Sequence, residues 1–431
     1  MPKVTHKVFK FIQTVEGVCE YLHKRNGLRV LIWEDHSAPV VALNVTYLVG
    51  SRNEAVGHTG ATHLLEHLMF KGSRKFDNKK GKSIAGVLER VGAQMNATTG
   101  PDRTNYYEVV PAEHAELAFA VESDRMRGAL LRAEDKLAEM PVVRNEFEIY
   151  ENEPSDALQK ALWATAFQGH PYAYYVIGLR SDIENVSIER LREFYDDFYW
   201  PNNAYVVVVG DMNTKEALAL TDKHFGNIKR SPKPIPPMYT KEAPQEGARR
   251  TTVRRPGEVP LLAVAHKVAP ALSPDTPALE LLASILGRGR SSRLYKALVP
   301  TGFASSVSTS YDSLREGGLL ESNVVVHAGK DLAEVEKLVL AEYGKLKRFG
   351  VTRAELAKAT SQLKFDLARS RDGVYNRAYL INEFISMGDW TYYFKLLGQM
   401  EKVSARDVKE IAIKYLGEDN STTAVFIPKK P

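Results

Sequence analysis

At 431 residues, with 44% hydrophobic and 26% charged residues, the chain is long enough for two or three domains with their own cores, and its make-up is globular rather than disordered. Its net charge of +5 is mild for this length, and basic pieces such as Lys79-Lys80-Gly81-Lys82 or Arg249-Arg250 with Arg254-Arg255 read as solvated loops, so no nucleic-acid partner is expected. The single cysteine, Cys19, excludes an internal disulfide and a cysteine zinc finger and reads as a buried structural thiol; no stretch approaches the ~18 apolar residues of a membrane span.

In chain order, Met1 to Lys7 lacks the apolar core of a signal peptide. The cytoplasm is therefore the expected compartment, or the periplasm if a leader has been removed. Tyr21-Leu22 and Val30 to Trp33 flank an Asn26-Gly27 turn, a hairpin signal, and Val40 to Val49 reads as a strand. Gly57 to Gly60 lead into a helix carrying His63-Leu64-Leu65-Glu66-His67. Gly92 to Thr99, small and β-compatible, reads as a turn and a strand, and Val142 to Ile149 as a helix. Strand, helix and strand segments continue to Val206–Val209. A proline-rich stretch from Ser231 to Pro237, followed by Glu242 to Gly247, is the best linker. The expected division is 1–230, a linker over 231–247, and 248–431.

The second part repeats the first. Leu261 to Ala265 resembles the Val40 strand, and the apolar helix Pro277 to Leu286 takes the place of the histidine helix but holds no histidine. Segments 331–346 and 353–369 echo those around 112–131 and 134–150. The fold class is therefore α+β, with two homologous domains, only the first keeping the histidines.

His63 and His67 lie one helical turn apart on one face, where both imidazoles can reach one ion. Glu66, beside the second histidine, is placed to act as a general base on water at the metal. The order is H-x-x-E-H, the reverse of the zincin motif. A hydrolytic zinc site takes three protein ligands, and Glu146 is the best third candidate. Val142, Val143, Glu146 and Ile149 are expected on one inward face, where a carboxylate is costly unless it is paired or bound to a metal. Glu148 and Glu151 are expected on the solvated side.

His63 to His67, the following Leu68-Met69-Phe70-Lys71-Gly72, and Glu146 downstream resemble the pitrilysin/insulinase family of zinc peptidases, and most of all its short-chain branch that includes the mitochondrial processing peptidase. Gly92 to Thr99, Thr104 to Tyr107, Gly169-His170-Pro171-Tyr172, Trp200-Pro201-Asn202-Asn203 and Val206 to Asp211 agree, so the resemblance runs from about residue 20 to the end. It implies one zinc ion per chain held by His63, His67 and Glu146, with Glu66 as the base. It also implies that Glu139, two turns before Glu146, orients a liganding histidine. Pro141 intervenes there, so a helix should either begin near it or kink. Each domain is implied to be a mostly antiparallel sheet covered by helices. Asn96 and Ala97 are implied to lie on an open strand edge that binds peptide through main-chain hydrogen bonds.

Many relatives carry an arginine and a tyrosine seven residues apart after a Ser-Ser-Arg-Leu helix. Here Ser291-Ser292-Arg293-Leu294-Tyr295 continues to Ser306 without that pair; Arg293 and Tyr295 lie too close together and too far upstream. The resemblance then implies the zinc-bearing half of a heterodimer whose homologous partner supplies both residues. The expected activity is zinc endopeptidase cleavage of unfolded or short peptides in an enclosed chamber. The alternatives are a non-catalytic scaffold subunit and a dedicated precursor-processing peptidase.

Overall fold

The computed structural model describes residues Val4–Lys429, so part of the amino-terminal stretch considered above, Met1 to Lys3, lies outside the described residues. Two sheets organise them. In the first, β1 (Phe9–Val15), β2 (Val18–His23), β3 (Arg29–Glu34), β4 (Val40–Tyr47), β5 (Gln94–Thr99), β6 (Thr104–Pro111) and β7 (Ala204–Gly210) run in the order β1-β2-β3-β7-β4-β6-β5. In the second, β8 (Arg249–Pro256), β9 (Leu261–Val268), β10 (Ala304–Tyr311), β11 (Gly318–Val326) and β12 (Ser421–Lys429) run in the order β10-β11-β9-β12-β8.

Reading each sheet from its open edge exposes the duplication. The run β5-β6-β4-β7-β3 has the same connectivity as β10-β11-β9-β12-β8, and in both only the last pair is parallel. The β2–β3 hairpin pairs Val18 with Trp33 through Leu22 with Arg29. β7, a run of four valines, is a central strand buried on both faces. Its last residue, Gly210, is glycine because a Cβ there would lie 2.2 Å from the Val40 carbonyl oxygen.

Five helices matter below: α1 (Ala61–Leu68), α2 (Ala133–Asn152), α3 (Pro154–Ala166), α4 (Thr276–Gly287) and α5 (Val374–Met387). Compactness divides the molecule into two units, each discontinuous in sequence. One comprises the residues up to Asn145, Val176–Tyr239 and Ser370–Phe394; the other comprises Glu146–Tyr175, Thr240–Arg369 and the stretch from Lys395 onward. The reason is an exchange of helices. In the first unit Ala378, Ile381 and Ile385 of α5 pack on Val18, Leu31, Ala42, Val207 and Val209. In the second, Leu158, Leu162 and Ala166 of α3 pack on Leu261, Ala263, Ala265 and Phe426. Burying each large aliphatic side chain contributes about 1.5–3 kcal/mol, so each sheet draws part of its core from the other half of the sequence.

One loop expectation is corrected. Arg249 to Arg255 form strand β8, parallel to β12, with alternate residues half-buried. Arg249 donates to the Ala166 carbonyl at 2.6 Å, Arg250 pairs with Glu336 at 2.7 Å, and Arg255 pairs with Glu151 at 2.7 Å. Counter-charges and carbonyls thus let a basic run serve as an edge strand. Cys19 is buried and free. Among the described residues no helix is long and apolar enough to cross a membrane.

Candidate metal centre

α1 carries the histidines, and its start is built from outside the helix. Gly60, the residue before it, is left-handed at φ 83° and offers no side-chain cap. Instead the buried Glu54 accepts from the N–H groups of Gly60 and Thr62, both at 2.7 Å. Burial pushes the Glu54 carboxyl up to about 7, against the pull of its bonds to Thr62 and Gly60. On the turn that follows, the rings of His63 and His67 stand 4.8 Å apart. Both histidines are half-buried, whereas Glu66 is buried between them and the sheet.

α2 supplies the facing groups; a start at Pro141, one of the two outcomes expected there, does not occur, and the expected inward face changes. The helix starts at Ala133 and continues through Pro141 to Asn152. Glu139 and Glu146 therefore share one helix, two turns apart. Its buried stripe is Met140, Val143 and Phe147, while Val142 and Ile149 are 51% and 60% exposed, not inward as the sequence suggested. Glu146 is half-buried at the edge of that stripe, and Glu148 is exposed. Glu151 is not simply solvated: it pairs with Lys160 at 2.5 Å and with Arg255.

One donor atom each from His63, His67 and Glu146 can be chosen so that all lie within 4.8 Å of one another. Two imidazoles and a carboxylate at such separations suit a tetrahedral zinc ion with one open position. The outer nitrogen of one ligand candidate is also held. His67 Nδ1 lies 2.9 Å from Glu139 Oε1, and Lys71 pairs with the other oxygen of that carboxylate. Burial alone would raise the Glu139 carboxyl, but hydrogen bonds from Lys71 and His67 outweigh it and hold the group below the ordinary carboxylate range. A carboxylate behind a histidine fixes its tautomer and leaves Nε2 for the ion.

β5 is the open edge of the first sheet, pairing with β6 alone. Asn96 is exposed on it and Ala97 is buried; the Ala97 N–H donates to Asn96 Oδ1 at 2.9 Å. Thr99, at the end of the same strand, donates its hydroxyl to Glu66 Oε2. Arg293, by contrast, is fixed by Glu355 at 2.7 and 2.9 Å and by the Gly350 carbonyl at 2.8 Å. Its guanidinium thus has a structural post.

Sequence reasoning missed Thr99, Lys71 and Glu54 as partners of the site. Lys71 had a signal, being one helical turn beyond His67. The other two had none, since each acts across a loop or from another strand. Behind α1 lies a further unforeseen group: Arg125 is fully buried, 2.9 Å from Glu108 and paired with Glu122, with its guanidinium 4.4 Å from the Tyr106 ring and 4.9 Å from that of Phe70.

Comparison with known proteins identifies the family. Residues 29–179 match the family described as insulinase (peptidase family M16), and residues 185–363 match a domain described as peptidase M16 inactive domain. The zinc protease PqqE of Helicobacter pylori is 30% identical over 412 residues, covering 94% of this chain and 91% of that protein. The crystal structure of a protease from Helicobacter pylori superposes with a TM-score of 0.89 at 28% identity, over 97% of this chain and 99% of that one. The periplasmic protease PqqL of Escherichia coli shares the fold at a TM-score of 0.80 and 18% identity, over 97% of this chain but 48% of that one. With both halves of its sequence matched and a relative of this identity spanning nearly its whole length, the chain belongs to peptidase family M16, the pitrilysin and insulinase group of zinc proteases.

Proposed function

We propose that this chain is a zinc-dependent endopeptidase acting on unfolded or short peptides. The observation that carries the reading is the convergence of His63, His67 and Glu146, with Glu66 hydrogen-bonded to the open edge strand. His63, His67 and Glu146 would hold the ion, and Glu139 would orient His67. A bound zinc ion would supply Lewis acidity, lowering the pKa of water towards neutrality and polarising a carbonyl.

The remaining roles fall to this chain's own groups. A substrate strand adds to β5, its carbonyl taking the Ala97 N–H from the Asn96 side chain. Glu66 accepts a proton from the attacking water and returns it to the leaving amine. The Thr99 hydroxyl holds one oxygen of that carboxylate and so fixes its orientation.

A homologous partner completes the site in this reading. The stretch from Ser291 to Ser306 contains only Arg293 and Tyr295 of the two residue types sought, and Arg293 is tied to Glu355. The oxyanion therefore needs donors from elsewhere. The chain matches about half the length of PqqL, as expected of one half of a two-chain chamber. The missing pair and the match of residues 185–363 to a domain described as inactive favour the second reading, a scaffold subunit.

Cleavage of a quenched fluorescent peptide library by the zinc-loaded chain, alone and with a homologous subunit, separates the two. Turnover should require the partner and fall by about 10²–10⁴-fold in Glu66→Gln, with zinc content unchanged. Zinc bound but no turnover with any partner would leave the scaffold reading.

A further inference from the structure

The support at the start of α1 has more contacts than a helix end requires. The first N–H groups of any helix lack partners within it, and a Ser, Thr or Asp just before the helix usually serves them. That solution is closed here: a Cβ on Gly60 would meet the Ile177 carbonyl oxygen at 2.4 Å, and one on Gly178 would meet the Gly60 nitrogen at 2.4 Å. Two carboxylates brought from elsewhere do the work. Glu54 binds the N–H groups of Gly60 and Thr62 at 2.7 Å each. Asp182 Oδ2 takes the N–H groups of Gly57 and Thr59 at 3.0 and 3.1 Å and the Thr59 hydroxyl at 2.8 Å. The Leu179 N–H closes the lock on Thr59 Oγ1 at 2.9 Å.

The next residue after Thr62 is His63. We infer that Glu54 is a positioning residue for the metal: by clamping Gly60 and Thr62 it fixes the register and tilt of the first turn of α1, so that His63 is held at its spacing from His67 before any ion arrives. A carboxylate at a helix start is also favoured by the helix dipole. Its burial is otherwise unrewarded, because a buried acid costs stability unless its partners are fixed. Asp182 pins the preceding turn, so the clamp has a rigid base. The inference rests on the proposed zinc site and adds a residue that touches neither the ion nor the substrate.

The test measures zinc affinity of the full chain by competition with a chromophoric chelator, beside the melting temperature of the metal-free protein. The variants are Glu54→Gln and Glu54→Ala. Ser404→Ala serves as a control that removes a helix cap elsewhere, where Ser404 accepts from the Asp407 N–H at 3.2 Å. Glu54→Ala should weaken zinc binding by about 10–100-fold, the range for residues that orient ligands, and Glu54→Gln by less, since its amide keeps one acceptor oxygen. Ser404→Ala should lower the melting temperature and leave zinc affinity unchanged. Undiminished zinc affinity in both Glu54 variants, with tight binding by the unaltered chain, would overturn this inference alone. An unaltered chain that binds no zinc would overturn it together with the proposed function. If Glu54→Ala does not fold, Glu54→Gln decides.

Discussion

Helices α1 and α4 stand at the same point of two sheets with the same connectivity, each between an inner strand and the open-edge strand, and they are furnished oppositely. α1 leaves His63 and His67 half exposed and surrounds them with Glu54, Glu66, Glu139 and Lys71. α4 is buried at every position except Glu280, and its stripe of Leu279, Leu282 and Leu286 fills the space instead. The connectivity therefore does not need a metal. The polar site is an addition that the first unit accommodates with counter-charges and hydrogen bonds, whereas the second is closed by apolar packing. Removing zinc should accordingly leave both sheets folded, with the metal raising the melting temperature only through its binding free energy.

The strongest way to break this contrast lies behind α1. Arg125 is fully buried between Glu108 and Glu122 and is the cation that makes two buried carboxylates tolerable there. The second unit also buries an acid pair, Asp312 and Glu321, but there burial and the neighbouring Asp312 push Glu321 well above the ordinary carboxylate range. Arg125→Met should cost about 3–5 kcal/mol, because it breaks a buried ion pair and leaves Glu108 and Glu122 without the guanidinium they share. Glu321→Gln should shift stability by less than about 1 kcal/mol, an amide of the same shape replacing an acid whose charged form burial disfavours. Urea midpoints of the two variants check both statements, and equal midpoints would show that the two acid pairs are handled alike.

A smaller effect sharpens the same contrast at the site itself. Glu139 touches His67 but would not touch the ion, so Glu139→Gln should lower zinc affinity by about 10–100-fold with little change in the metal-free melting temperature. Chelator competition reads the first and calorimetry the second. An equal loss in both would make Glu139 a fold residue rather than a partner of the ligand.

Legibility from sequence followed the range of the interactions. The spacing His63–His67 is helical and local, so the pattern announced it, whereas Glu139 came from the family resemblance; the structure brings Glu146 to the two histidines and Glu139 to His67. The facing of α2 did not survive, because the run from Val142 to Ile149 fits more than one stripe, and the stripe buried in the fold is the one holding Val143 and Phe147. Pro141 was a poor guide to where the helix begins. It leaves the Leu137 carbonyl without its helical donor, but Leu137 is 72% exposed and water can serve that oxygen. The strand at Arg249 was hidden because its neighbour, β12, lies at the far end of the chain and its counter-ions Glu151 and Glu336 come from two other segments. The exchange of α3 and α5 left no local trace at all: their apolar faces show that something is covered, not which sheet.

The smallest expected effect concerns a histidine that must not charge. His266, on β9, is almost wholly buried, with its ring 5.5 Å from that of Tyr343. Burial, reinforced by the charge of Lys347, pushes its pKa down to about 3. The folded protein thus keeps His266 neutral, while the unfolded chain protonates it near 6.5. As pH falls below 6.5 the unfolded state binds the extra proton, so this group's contribution to stability is lost progressively towards pH 3. Between pH 6.5 and 5 the loss is about 2 kcal/mol, at about 1.4 kcal/mol per pH unit. The buried acids Glu54 and Glu321 titrate with the opposite sign, so the wild-type curve alone does not isolate the histidine. The difference between wild type and His266→Phe does, because the acids are common to both. Relative to the variant, wild type should lose about 2 kcal/mol on going from pH 7 to pH 5; parallel curves would mean that the second unit can admit a buried cation, and that its closure is less complete than that of a core built only from apolar groups.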